Sequence, residues 1–134
     1  MIYLLDTNVC VEFMRGRKQP LTARFQAVPQ SDKYLCPIVL GELFYGAYKS
    51  LRPSHNLAQV QTFMAYFPLL PFDEVAAQKY GEIRADLARQ GLMIGPNDLQ
   101  IAAIAVVHGV LRWLRTTRGN LAVSRACCLM IGSN

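Results

Sequence analysis

The chain has 134 residues, 52% of them hydrophobic, and a formal charge of +5. That length supports one domain around a buried core and excludes two, so residues 1–134 are read as a single domain. The charge does not make the whole molecule a polyanion binder: Arg112, Arg115, Arg118 and Arg125 lie in the last 23 residues, which contain no acid, and residues 1–111 keep only the remaining +1.

"IYLL" reads as a buried strand and "DTNVCVEFMRG" as the helix after it, capped by Asp6, Thr7 or Asn8 and ended by Gly16. "RGRK", from Arg15 to Lys18, reads as a solvated loop, with phosphate contact as the sharper alternative. "PLTARFQAV" is a short helix between Pro20 and Pro29, and "YLC" a second strand. "PIVLGELFYGAYKS" and "HNLAQVQTFMAYF" are helices parted by "LRPS", where Pro53 breaks the first and Ser54 caps the second; "LLPF" is a short strand. Ala76, Tyr80, Ile83 and Leu87 mark one face of a helix from Asp73 to Gln90, stopped by Gly91. A further helix runs from Pro96 to about His108 and ends at Gly109; "VLRWL" is the last strand.

Alternating strands and helices predict an α/β sandwich around a mainly parallel sheet, in which ligands gather at the carboxyl ends of strands. The apolar run "LQIAAIAVVHGVL" is broken by Gln100 and His108 and is shorter than the roughly 20 residues of a bilayer span, so no membrane segment is expected. No basic flank precedes the short apolar amino terminus, so no secretion signal is read and a cytoplasmic protein is expected. Cys10, Cys36, Cys127 and Cys128 lack C-x-x-C spacing and read as reduced, packing thiols. His55 and His108 read as capping and packing residues, and the aromatic residues Tyr3, Tyr34, Phe44, Tyr45, Phe63, Tyr66 and Phe67 as core or dimer surface.

Three carboxylates stand among residues that look buried: Asp6 at the end of the first strand, Glu42 inside "IVLGELFYGAY", and Asp98 heading "GPNDLQIAAIAVV". Each has a plainer role alone: a helix cap for Asp6, solvent exposure for Glu42, a helix-dipole partner for Asp98. As a set they are harder to dismiss, because a doubly wound sandwich brings strand ends and helix starts to one cleft. Carboxylates gathered there repel unless a cation neutralises them. With oxygen ligands and no nearby His or Cys, that cation is Mg²⁺, or Mn²⁺ in its place. Such an ion activates water and clamps phosphodiester oxygens.

"LLDTNV", "PIVLGELFYG" and "GPNDLQIAAIA" resemble the successive acidic motifs of PIN-domain ribonucleases, specifically VapC-type toxins of type II toxin–antitoxin pairs. The resemblance covers residues 1 to about 111 and implies a PIN-like three-layer sandwich, a mainly parallel central sheet flanked by helices. It implies a Mg²⁺-dependent endoribonuclease with Asp6, Glu42 and Asp98 as catalytic metal ligands. Thr7, Asn8 and Asn97 are then polar support. It also implies a cognate antitoxin, an RNA substrate such as tRNA or ribosomal RNA, and a homodimer.

Residues 112–134 depart from that family, whose tail reads like "LVT-x-N-T-R-E-F", then "V-P-G-L" and a terminal "D-W". No Asp or Glu follows Asp98 here, and Thr116 or Thr117 stands nearest the missing Asn. Regrouping the codons so that each begins on the third base of its predecessor permits T-L-V-T-H-N-T-R-E-F-S-R-V-P-G-L-L-F-D-D-W-I and a stop. A one-nucleotide frameshift near codon 111 is therefore expected. It leaves the alternative of a catalytically impaired PIN-like scaffold that binds antitoxin or RNA without cleaving. A haloacid-dehalogenase-like phosphatase needs a second Asp where Asn8 stands, and a phospho-receiver domain needs a late Lys, whereas none follows Lys79.

Overall fold

A computed structural model describes residues 2–16 and 26–109, and the backbone of 112–114. Strand β1 (Tyr3–Leu5) lies in the middle of a parallel sheet ordered β2-β1-β3, with β2 at Lys33–Tyr34 and β3 at Arg112–Leu114. Tyr3 pairs with Lys33 on one side and Arg112 on the other, and Leu5 pairs with Leu114. A central strand is covered on both faces, which is why its run is apolar rather than alternating. Leu4 and Leu5 are fully buried.

Among the described residues five helices flank this sheet: α1 (Thr7–Met14), α2 (Pro37–Tyr48), α3 (Pro53–Met64), α4 (Glu74–Arg89) and α5 (Pro96–Val107). Val39, Leu43 and Ala47, four residues apart on α2, are buried in the main core with Val60 and Phe63 of α3 and Ile101, Ile104 and Ala105 of α5. Phe63 carries the aromatic part of that core, with ring centroids 5.9 Å from Phe13 and 4.8 Å from Phe67. A second cluster joins Ile83 and Leu87 of α4 to Leu99 and Ala103 of α5, the face the spacing marked out. Complete burial of side chains the size of Leu5 or Ile104 stabilises by about 1.5–3 kcal/mol each.

The helix boundaries follow local chemistry. Asp73 caps α4 by accepting from the Ala76 N–H at 3.0 Å, and Gly91 leaves it at φ +71°, the left-handed turn that glycine takes without a β-carbon penalty. Pro37 and Pro96 open α2 and α5, where the missing N–H costs nothing. Helix α3 corrects one expectation. Pro53 is its first residue and Arg52 its cap, so Ser54 lies inside the first turn and does not cap it. "LLPF" is also not a strand: Leu69 makes a single parallel bridge to Leu35, flanked by hydrogen bonds from Leu35 N to Pro68 O and Leu70 N to Leu35 O. Prolines at 68 and 71 remove the donors that would extend that pairing. The short helix expected over Pro20–Val28 falls mostly on residues 17–25, outside the described residues.

Candidate functional site

The chain leaves the buried end of β1 at Leu5, and the next residue, Asp6, is extended and caps α1. Its Oδ1 accepts from the Thr7 N–H at 2.9 Å. The capping role read from the sequence therefore belongs to Asp6. Thr7 opens α1, and its Oγ1 donates to Oε2 of Glu42, 35 residues away on α2. The other Glu42 oxygen, Oε1, accepts from Nδ2 of Asn97 at 3.4 Å, across to the first turn of α5. Asp98 follows Asn97, half-buried, with Oδ2 3.8 Å from where a β-carbon on Gly95 would stand. Asn8 is exposed on the first turn of α1.

Glu42 is thus the junction. Three segments far apart in sequence, the end of β1, the middle of α2 and the start of α5, converge through its two oxygens. Two buried thiols underlie the same place. Burial pushes Cys36 up to about 11, against the N–H groups of Val39 and Ile38, and the negative charges of Glu42 and Asp6 push it further the same way. Cys10 is raised first by burial and then by Asp6 and Cys36. Both carboxylates therefore act on one thiol from nearby. Both cysteines remain protonated packing groups.

Oxygen donors on partly exposed carboxylates suit a hard divalent cation such as Mg²⁺, so the donor chemistry fits the ion expected from the sequence. Their arrangement is open. Among the described residues no three Asp, Glu, His or Cys side chains stand close enough to hold one ion. Hydrogen bonds from Thr7 and Asn97 instead supply the positive ends that Glu42 requires. Thr116 and Thr117 lie outside the described residues.

Beside Glu42 an open groove of about 340 Å³ runs between α2 and α5, lined also by Pro37, Gly41, Tyr45, Asn97 and Gln100. Tyr45 and Gln100 were not singled out as site residues by the sequence. Of the two readings of Tyr45, core or dimer surface, burial excludes the first: the residue is 65% exposed on the groove. The available signal was its spacing: three residues after Glu42 on a helix is the same face. His108 does cap, with Nδ1 2.9 Å from the Ile104 carbonyl, and His55 is exposed in the first turn of α3.

A parallel sheet flanked by helices, with Asp6 just beyond its central strand and Glu42 tied to Thr7 and Asn97, is an α/β arrangement that sets polar groups at one edge of the sheet. A family profile described as "PIN domain" matches residues 3–112, and the chain belongs to the PIN-domain family. Within it, its branch is that of the VapC ribonucleases, hydrolytic endoribonuclease toxins of toxin–antitoxin pairs. It is 37% identical over 116 residues to a "tRNA(fMet)-specific endonuclease VapC" of Shigella flexneri, with 87% of each chain covered. Identity to the protein of the same description from Salmonella typhimurium is 39% over 109 residues, covering 81% of this chain and 82% of the other. The fold agrees. A DNA-bound VapBC structure from Salmonella typhimurium superposes with a TM-score of 0.73 at 38% identity, covering 81% and 82% of the two chains. FitAcB from Neisseria gonorrhoeae gives 0.79 at 29% identity, covering 94% and 93%.

Proposed function

We propose that this chain hydrolyses RNA phosphodiesters in the cleft around Glu42, and that binding of Mg²⁺ or Mn²⁺ draws together Asp6, Glu42 and Asp98, which stand too far apart in the open arrangement to share an ion. The observation that carries the reading is the pair of hydrogen bonds that draws Thr7 and Asn97 onto the two oxygens of Glu42. When bound, the ion lowers the pKa of a water and neutralises charge on the phosphate. The chain's own groups do the rest. Asp6 is held at the strand end by the Thr7 N–H, Thr7 and Asn97 fix the Glu42 carboxylate, and Asn8 stands exposed at the mouth of the same turn.

The substrate is RNA, with tRNA the first to try because two relatives are described as tRNA(fMet)-specific endonucleases; ribosomal RNA is the other candidate. The partner is a cognate antitoxin, by likeness to the solved VapBC complexes, and a second copy of the chain is its other partner in a homodimer. It works in the cytoplasm; among the described residues no helix is long and apolar enough to cross a membrane.

The test is cleavage of tRNA and of end-labelled RNA with Mg²⁺ or Mn²⁺ and with EDTA, for this chain and for Asp98→Asn. Metal-dependent cleavage that Asp98→Asn abolishes is expected. Cleavage that persists in EDTA or in Asp98→Asn would overturn the reading.

One observation favours a second reading: the family match ends at residue 112, where the tail departs from the VapC pattern. We propose that a frameshift replaced the fourth motif and that Thr116 or Thr117 stands in for it. A hydroxyl is a weaker ligand than an amide or carboxylate oxygen. The chain is then a scaffold that binds antitoxin or RNA without cleaving. Inactivity of this chain, with Asp6-dependent activity in a version carrying the re-read tail, would establish that reading.

A further inference from the structure

Two recesses meet at Glu42. One is the groove on the α5 side, where Glu42 is the only charged lining residue among the described residues. The other is a notch of about 300 Å³ on the α1 and α3 side, lined by Glu42, Arg15, Gly46, Lys49, Ser50 and Asn56 among others. Arg15 and Lys49 are the cations of that notch, and Glu42 is its acid. Its floor is ordered: Asn56 Nδ2 donates to Ser50 Oγ at 2.8 Å, and Ser50 Oγ donates to the Ala47 carbonyl at 2.6 Å.

Tyr45 and Lys49 connect the two recesses along α2. Tyr45 lines the groove and is 65% exposed, and the Lys49 ammonium lies over one face of its ring, 4.8 Å from the centre. From Glu42 to Lys49 the helix rises by about 10 Å, the scale of a short oligonucleotide segment. A ring that is 65% exposed, with the Lys49 ammonium over one face and with Arg15, Lys49 and Glu42 lining the notch that adjoins its groove, matches one ligand chemistry. Single-stranded nucleic acid combines stackable bases with a regular anionic backbone.

We propose that Tyr45, Lys49 and Arg15 form a substrate track for single-stranded RNA, with a base stacked on Tyr45 and a backbone phosphate held by Lys49 and Arg15 in the notch beside Glu42. The inference rests on the reading of the cleft as an RNA-cleaving site. An acidic peptide would satisfy the cations but would leave the open face of Tyr45 without a stacking partner.

Binding separates the two ideas, because it is measured without cleavage. Anisotropy of a short fluorescein-labelled single-stranded RNA is followed in EDTA across a salt series, using the full chain. Tyr45→Ala is expected to weaken binding about tenfold or more, while Tyr45→Phe and Tyr45→Trp keep it. Arg15→Ala with Lys49→Ala is expected to flatten the slope of log affinity against log salt by about 0.7, the value for one single-strand phosphate contact. All of these side chains are exposed, so the circular dichroism spectrum and melting temperature should not move. Wild-type affinity and salt slope in every variant would overturn the track, as would no RNA binding by the unsubstituted chain. Loss of binding to an oligo-glutamate peptide, with RNA binding unchanged, would assign the surface to a protein partner and overturn it too. If the variants behave as expected and no metal-dependent cleavage is found, the nuclease reading fails and the track stands.

Discussion

Asp6 has two roles that one pair of substitutions separates. Its Oδ1 takes the Thr7 N–H at 2.9 Å, and its charge lies at the positive end of α1. Asn caps as well as Asp does, so Asp6→Asn keeps the hydrogen bond and loses only the charge, a stability change of a few tenths of a kcal/mol. Ala removes the cap and costs about 1 kcal/mol. For a chain of this size that is a fall of roughly 3–5 °C in melting temperature. Metal binding ranks the variants differently. A divalent ion at 100 times its Kd stabilises the unsubstituted chain by about 2.7 kcal/mol, and loss of an anionic ligand removes most of that for Asn and Ala alike. The assay is a thermal melt of the three proteins with EDTA and with Mn²⁺. In EDTA, Asn should match the parent and Ala should melt lower. With Mn²⁺, only the parent should rise. A Mn²⁺ shift of equal size in Asp6→Asn would reduce Asp6 to a helix cap and refute its placement on the metal.

Thr7→Val removes the donor to Glu42 at nearly constant volume; it should cost about 1 kcal/mol, since the site is only half-buried, and lower cleavage, with Thr7→Ser restoring both. Urea denaturation that shows no loss, with full activity, would dispose of that link. Ile104 is completely buried, so Ile104→Ala should destabilise by about 2–5 kcal/mol in the same assay; a loss under 1 kcal/mol would mean the main core is not built around α5. Cys36 is pushed up from 9.0 to about 11, chiefly by burial. Its folded state holds the proton more tightly than the unfolded chain, so its contribution is complete below pH 9 and is lost as pH rises toward 11, on the order of 2–3 kcal/mol. Denaturation midpoints for the parent and Cys36→Ala across that window check it: the parent should lose stability more steeply, and parallel curves would contradict the assignment.

Elements whose identity depends on one local signal were legible. The run "IYLL" announced a strand covered on both faces, and Ala76, Ile83 and Leu87 announced the inner face of α4, because burial imposes those periods directly. Pro96 and Gly109 marked the bounds of α5 for equally local reasons. Helix α2 was harder. It is apolar nearly all round, so periodicity alone did not reveal that Val39, Leu43 and Ala47 point inward while Tyr45 and Tyr48 face solvent. That choice is made by packing against α3, the next helix, and against α5, which lies far along the chain. The Leu35–Leu69 bridge was illegible as a pairing for the same reason: one parallel contact between distant segments leaves no period in either.

The carboxylates were legible as chemistry, and the means of holding them was not. A buried-looking acid asks for a partner, but a list of acids does not say that Thr7 and Asn97 divide the two oxygens of Glu42 between them. The tail obeys the same distinction. Pairing of β3 with β1 is made by backbone groups, so "RWL" takes the third position in the sheet with Leu114 opposite Leu5, whatever frame supplied its side chains. The carboxyl ends of the two strands consequently stand together, and Asp6 is the next residue beyond Leu5. A fourth motif placed just after β3 would act at that same edge, through side chains alone. The β1–β3 pairing is therefore compatible with either frame of the chain.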